Sequence, residues 1–124
     1  MAFPVHRKRR LRSTESIRAL VRETHLEPSQ FVLPLFIVAG EGIHKPISSM
    51  PGHAQQSIDH AVKDCLEAES LGVGAVILFG IPEHKDEMAS GGYDNDGIVQ
   101  RAIREIKKSA KKLVVITDVC NCEY

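Results

Sequence analysis

Three unbroken apolar runs constrain this chain more than any other feature: Phe31–Val38 (FVLPLFIV), Gly74–Gly80 (GAVILFG) and Leu113–Thr117 (LVVIT). Runs of this kind, bounded by turn residues, read as strands buried on both faces of a parallel sheet. Amphipathic patterns separate them. Ile58, Ala61, Val62, Cys65, Leu66 and Leu71 form one stripe, with Ser57 as cap, Asp59 in the first turn and Gly72 as the stop. That stripe makes Cys65 a core thiol. Ile98, Ala102, Ile103 and Ile106 form a second, capped by Asn95 or Asp96 and running to about Ser109. A first helix is expected from Ser13-Thr14-Glu15 to about Thr24, with Ile17, Leu20 and Val21 at helical spacing.

The order is helix, β, α, β, α, β, which predicts an α/β fold with a parallel sheet and right-handed crossovers. Pro34 inside the first run is awkward for a central strand, because proline cannot donate to a ladder. A first barrel strand or a bulge absorbs it more easily. In parallel folds chemistry gathers at the carboxyl ends of strands. The loop at 39–56, the loop at 81–95 and the segment after the third strand all belong to that edge.

That last segment, Asp118-Val119-Cys120-Asn121-Cys122-Glu123-Tyr124, carries the clearest chemistry. Two thiols one residue apart suit a soft metal such as zinc, since a bridge between them would close a strained ring. Inert or redox-sensitive thiols are the other reading. Asp118 could orient a bound water or substrate group beside such a metal. His44, His53 and His84 qualify as further ligands by residue type alone and read equally as loop histidines facing water. A metal site here would have only half its ligands within these residues. The chain is therefore expected to be part of a larger α/β fold, cut through its own site.

Bulk properties exclude several classes. The 124 residues balance 16 basic against 16 acidic side chains, so no global field points to nucleic acid or acidic lipid. No apolar run approaches the roughly 20 residues of a membrane span. The start does not resemble a signal peptide, and three cysteines form no secreted framework, so a cytoplasmic protein is expected. The basic run His6-Arg7-Lys8-Arg9-Arg10-Leu11-Arg12 reads as a solvated arm, as an arm on a partner subunit or, more weakly, as a nucleic-acid contact. Neither G-x-G-x-x-G nor a P-loop follows the first strand, which weakens a nucleotide-binding half-domain.

Taken in order, these segments resemble the δ-aminolevulinic acid dehydratase (porphobilinogen synthase) family. Arg9-Arg10-Leu11-Arg12 is similar to its arm, Val32-Leu33-Pro34-Leu35-Phe36-Ile37 to its first barrel strand, and Ser49-Met50-Pro51-Gly52 to its Met-Pro-Gly turn. Leu78-Phe79-Gly80-Ile81-Pro82 with Lys85-Asp86-Glu87 resembles the second strand and its loop. Asp118 to Tyr124 resembles the opening of its zinc-cysteine motif. The resemblance implies an N-terminal arm and helix at 1–30. Residues 31–124 would then be the first three strands of a (β/α)8 TIM barrel, incomplete in this chain. It implies condensation of two 5-aminolevulinate molecules to porphobilinogen in a homo-octamer joined through the arms, with no nucleic-acid or membrane partner. Cys120 and Cys122 match two of three zinc-binding cysteines. The third cysteine, the Schiff-base lysines and the ligands of an allosteric magnesium would all lie beyond Tyr124. No catalytic lysine is assigned here, since Lys63, Lys107, Lys108, Lys111 and Lys112 belong to helices or their exits, and the stretch alone is expected to be inactive. Its open edge is expected to make it insoluble or molten in isolation. The alternative is a small stand-alone α/β module binding metal or sensing redox state through Cys120 and Cys122.

Overall fold

The structure, a computed structural model, describes residues 5 and 9–119. Its elements in chain order are α1 (Glu15–Leu20), β1 (Val32–Val38), β2 (His44–Pro46), β3 (Ala54–Gln56), α2 (Ile58–Ser70), β4 (Ala75–Ile81), α3 (Ser90–Tyr93), α4 (Ile98–Ser109) and β5 (Val114–Thr117). They build a sheet ordered β2-β3-β1-β4-β5. The strands β1, β4 and β5 are the three apolar runs. They pair in parallel, with Leu35 opposite Leu78 and Ala75 opposite Val114.

The hairpin β2–β3 was not expected within the 39–56 loop. Its turn explains it. His53 N–H donates to the Met50 carbonyl at 3.0 Å, and Ile47 N–H to the His53 carbonyl at 2.9 Å. Pro51 has the fixed φ this turn wants, and Gly52 takes the left-handed φ of +88° that a side chain would resist. The returning strand β3 then adds in parallel to β1 at Phe36 and Ile37.

Pro34 is accommodated by the side on which its nitrogen falls. Backbone groups of successive strand residues point to alternate sides. The Phe31 carbonyl accepts from Ala75 N–H at 3.3 Å, so Pro34 turns its nitrogen away from β4. On that other side β3 reaches only Phe36 and Ile37. The missing donor lies where no described strand pairs with it.

Both long helices cover one face of the sheet. Leu35, Ile37, Val76 and Leu78 point into a single cluster with Ala61 and Cys65 of α2, Ala102 and Ile106 of α4, and Ala110 and Leu113. Gly80 belongs to the same contact, because a Cβ there would overlap the Val99 side chain of α4. The opposite face is open among the described residues, as strands from one part of a larger fold would leave it. Val32 is 46% exposed and Val114 is 56% exposed. Phe36 and Phe79, paired across β1 and β4, stack there with ring centroids 5.3 Å apart.

Several local expectations also change. The helix α1 stops at Leu20 rather than near Thr24: Val21 leaves helical geometry, and no α1 residue is buried to sustain another turn. In α2, Leu66 and Leu71 are exposed, and Ala68 completes the buried stripe instead. Ser57 stands at the N-cap position, yet its hydroxyl donates to Asp59 at 2.5 Å and accepts from Ile43 N–H at 2.9 Å. It ties the hairpin to the helix. The cap of α4 is Gly97, not Asn95 or Asp96. Asp96 is engaged with Arg104 at 2.8 Å, and a Cβ at position 97 would press on the Gly91 carbonyl and the Gln100 side chain.

Candidate active site at the carboxyl edge of the sheet

The parallel register brings Val38, Ile81 and Thr117 to one edge. There the chain forms a cleft of about 600 Å³, lined by residues that include Gly80, His84, Asp86, Ser90, Gln100 and Asp118. Asp118 follows directly on β5, and its N–H reaches the Leu78 carbonyl at 3.4 Å. The aspartate expected at the third strand end is therefore at the edge where a parallel sheet presents its chemistry. Cys120 and Cys122 lie outside the described residues, as do His6, Arg7 and Lys8 of the basic run.

One wall of the cleft is the segment between β4 and α4. Asp86 organises it by accepting from Met88 N–H at 2.9 Å, from Ser90 N–H at 3.1 Å and from the Ser90 hydroxyl. Those donors, the Ser90 hydroxyl foremost, hold its carboxyl below the usual carboxylate range. Ala89 adopts a φ of +49° to make the turn into α3. From the other side α4 grips the same segment. Gln100 Nε2 donates to the Gly92 carbonyl at 2.9 Å and Arg104 donates to the Asn95 carbonyl at 2.8 Å. The Gln100 Oε1 is buried without a partner among the described residues.

Sequence reasoning missed Asp86, Gln100 and Arg104 as organisers. Only Asp86 left a signal, an acidic residue two and four positions before backbone donors in a turn-rich stretch. Of the candidate histidines, His84 lines the cleft with Asp118. His44 lies on β2, its ring 5.6 Å from that of His60, and His53 lies in the hairpin turn. The three are not brought together. Among the described residues no three His, Cys, Asp or Glu side chains could hold a metal ion. Lys63, Lys107 and Lys108 lie on α2 and α4, as expected, with Lys111 and Lys112 at the amino end of β5. Lys45 falls within β2, exposed at the outer edge of the sheet, and Lys85 is exposed in the segment between β4 and α3.

Residues 5–124 match the family model for delta-aminolevulinic acid dehydratase. The chain belongs to the delta-aminolevulinic acid dehydratase family. It is 49% identical over 122 residues to the dehydratase of Synechococcus elongatus, a match covering 98% of this chain and 37% of that protein. It is 53% identical over 119 residues to the Helicobacter pylori dehydratase, covering 95% of this chain and 37% of that protein. The chain thus spans little more than a third of such dehydratases. Its structure is similar to that of the Toxoplasma gondii dehydratase (porphobilinogen synthase) in complex with the reaction product porphobilinogen. The TM-score is 0.85 at 36% identity, covering 92% of this chain and 33% of that one. In dehydratase terms, β1, β4 and β5 with their helices are part of a (β/α)8 barrel. A stand-alone thiol module is not favoured by a family match of this extent. No helix among the described residues is long and apolar enough to cross a membrane.

Proposed function

We propose that this chain is the part of a zinc-dependent porphobilinogen synthase that supplies two zinc thiolates and one wall of the substrate site. The polypeptide containing it condenses two 5-aminolevulinate molecules to porphobilinogen for tetrapyrrole synthesis. The observation that carries the reading is the shared fold with a dehydratase that holds porphobilinogen, joined to a cleft at the carboxyl edge of the same strands.

The donor chemistry fits zinc. Cys120 and Cys122 are soft ligands, and Asp118 precedes the first of them by two residues. When bound, the metal would act as a Lewis acid toward a substrate carbonyl or hydroxyl. The chain's own residues do the positioning. Asp118 presents an acceptor at the cleft for a substrate ammonium or a water. The Asp86–Ser90 turn and Gln100 hold the wall against which the substrate packs. The Schiff-base lysines come from residues outside this chain, as would the ligands of any allosteric magnesium. The N-terminal arm, with its basic run at 6–12, joins subunits of a cytoplasmic homo-octamer, without nucleic-acid or membrane partners.

The test uses the complete polypeptide that contains these residues, stripped of metal with a chelator and supplied with 5-aminolevulinate. Porphobilinogen formation should return on adding zinc and should be abolished in Cys120→Ser. Full activity of the stripped protein, or of Cys120→Ser, would overturn the zinc assignment.

A further inference from the structure

The strand that leads to the site does not specify its own register. A one-residue slip of a β-strand exchanges its two faces, and an apolar–polar alternation normally forbids it. Here Leu113-Val114-Val115-Ile116 is apolar on both faces. A slip that puts Val114 and Ile116 where Leu113 and Val115 stand would replace apolar by apolar in the core and would carry Asp118 from one face to the other. Among the described residues β5 pairs with β4 alone, over four positions. Something besides hydrophobic patterning has to choose.

Two side chains from different helices meet at the point where the choice is made. The Glu69 carboxylate of α2 accepts from Lys112 N–H at 2.6 Å and from Leu113 N–H at 3.1 Å, across 43 and 44 residues of sequence. Lys107 of α4 donates from Nζ to the Leu113 carbonyl at 3.0 Å and to the Lys111 carbonyl at 3.5 Å. Both backbone groups of Leu113, itself 1% exposed, are thus taken by side chains of opposite charge. The ladder begins one residue later, with Val114 N–H on the Gly74 carbonyl at 3.2 Å. A slipped strand would offer these two side chains the wrong peptide unit. Charge-assisted bonds of this kind are about twice as strong as neutral ones.

We propose that Glu69 and Lys107 are positioning residues that lock the register of β5 and so decide which face carries Asp118. The proposal rests on the dehydratase reading for its consequence in catalysis, and on the geometry alone for the lock. In the complete polypeptide, Glu69→Ala should speed hydrogen exchange of residues 113–118 by at least about tenfold through opening of that strand. It should lower kcat with KM unchanged, because slipped molecules are inactive and the remainder are normal. Glu69→Gln keeps an oxygen that accepts both N–H groups and should restore both readouts; Lys107→Arg should likewise restore what Lys107→Met loses. A merely structural carboxylate would lower Tm and leave exchange at 113–118 and kcat untouched, and that result would overturn the lock. So would Glu69→Gln behaving like Glu69→Ala. If the unsubstituted protein makes no porphobilinogen, the dehydratase reading fails while the exchange measurement still judges the lock.

Discussion

The two faces of the central sheet differ in what they are built to do. On the helix side, Ile37, Val76, Cys65, Ala102 and Ile106 have no exposed surface, and β1, β4 and β5 each contribute residues of one parity to a single cluster. On the other side, residues of the opposite parity form a surface that is apolar yet open: Val32, Val114 and Ile116 are 46%, 56% and 37% exposed. Asp118 shares the parity of this open face and lines the cleft at the carboxyl edge, where Val99, Gln100 and Ile103 of α4 form the lining from the helix side. The difference teaches that one face carries the stability of this unit, while the other is left uncovered among the described residues.

The largest expected effect concerns the open face as a whole. A contiguous apolar surface beside an unpaired strand edge favours association. The 124-residue chain expressed by itself is expected to elute as heterogeneous aggregate on sizing, and a monodisperse monomer would show that the open face is satisfied within the chain.

Next in size is a cavity on the closed face. Ile106 is fully buried between α4 and the sheet. In the complete polypeptide Ile106→Ala should cost about 2–5 kcal/mol by urea unfolding, with KM for 5-aminolevulinate unchanged. A loss below about 0.5 kcal/mol, ordinary for a surface site, would erase the contrast between the faces.

A smaller, pH-dependent effect sharpens the same contrast. Burial, with the Asp64 carboxylate adding to it, pushes the Cys65 thiol up to about 11. An unfolded thiol ionises near 8.5. The fold therefore keeps its full stability below that value and loses it as pH rises toward 11. Urea midpoints measured from pH 7 to 11 should fall more steeply for the wild type than for Cys65→Ala. Parallel curves would place Cys65 in contact with water.

The sequence made the apolar runs and the two long helices legible because their periodicity is set by burial, which they have. The hairpin β2–β3 was illegible because His44-Lys45-Pro46 and Ala54-Gln55-Gln56 carry no apolar alternation. Its existence depends on the Pro51-Gly52 turn and on β1 being present to pair with. Thr24 was placed in α1 by propensity, which loses where nothing packs against the helix. Gly97 displaced Asn95 and Asp96 as cap because the crowding around it comes from residues folded back in space. At the site, Asp118 could be read from its place after a strand. Glu69 could not, since its partners are backbone N–H groups 43 and 44 residues away and leave no pattern of residue types.

The most direct test of a division between a stabilising face and a working face is Asp118→Asn in the complete polypeptide, with Tm and steady-state kinetics measured on the same preparation. The account predicts porphobilinogen formation reduced by at least about 100-fold, in the range of lost active-site groups, with Tm within about 2 °C of the wild type. Retained activity, or a collapse in Tm equal to that of Ile106→Ala, would contradict it.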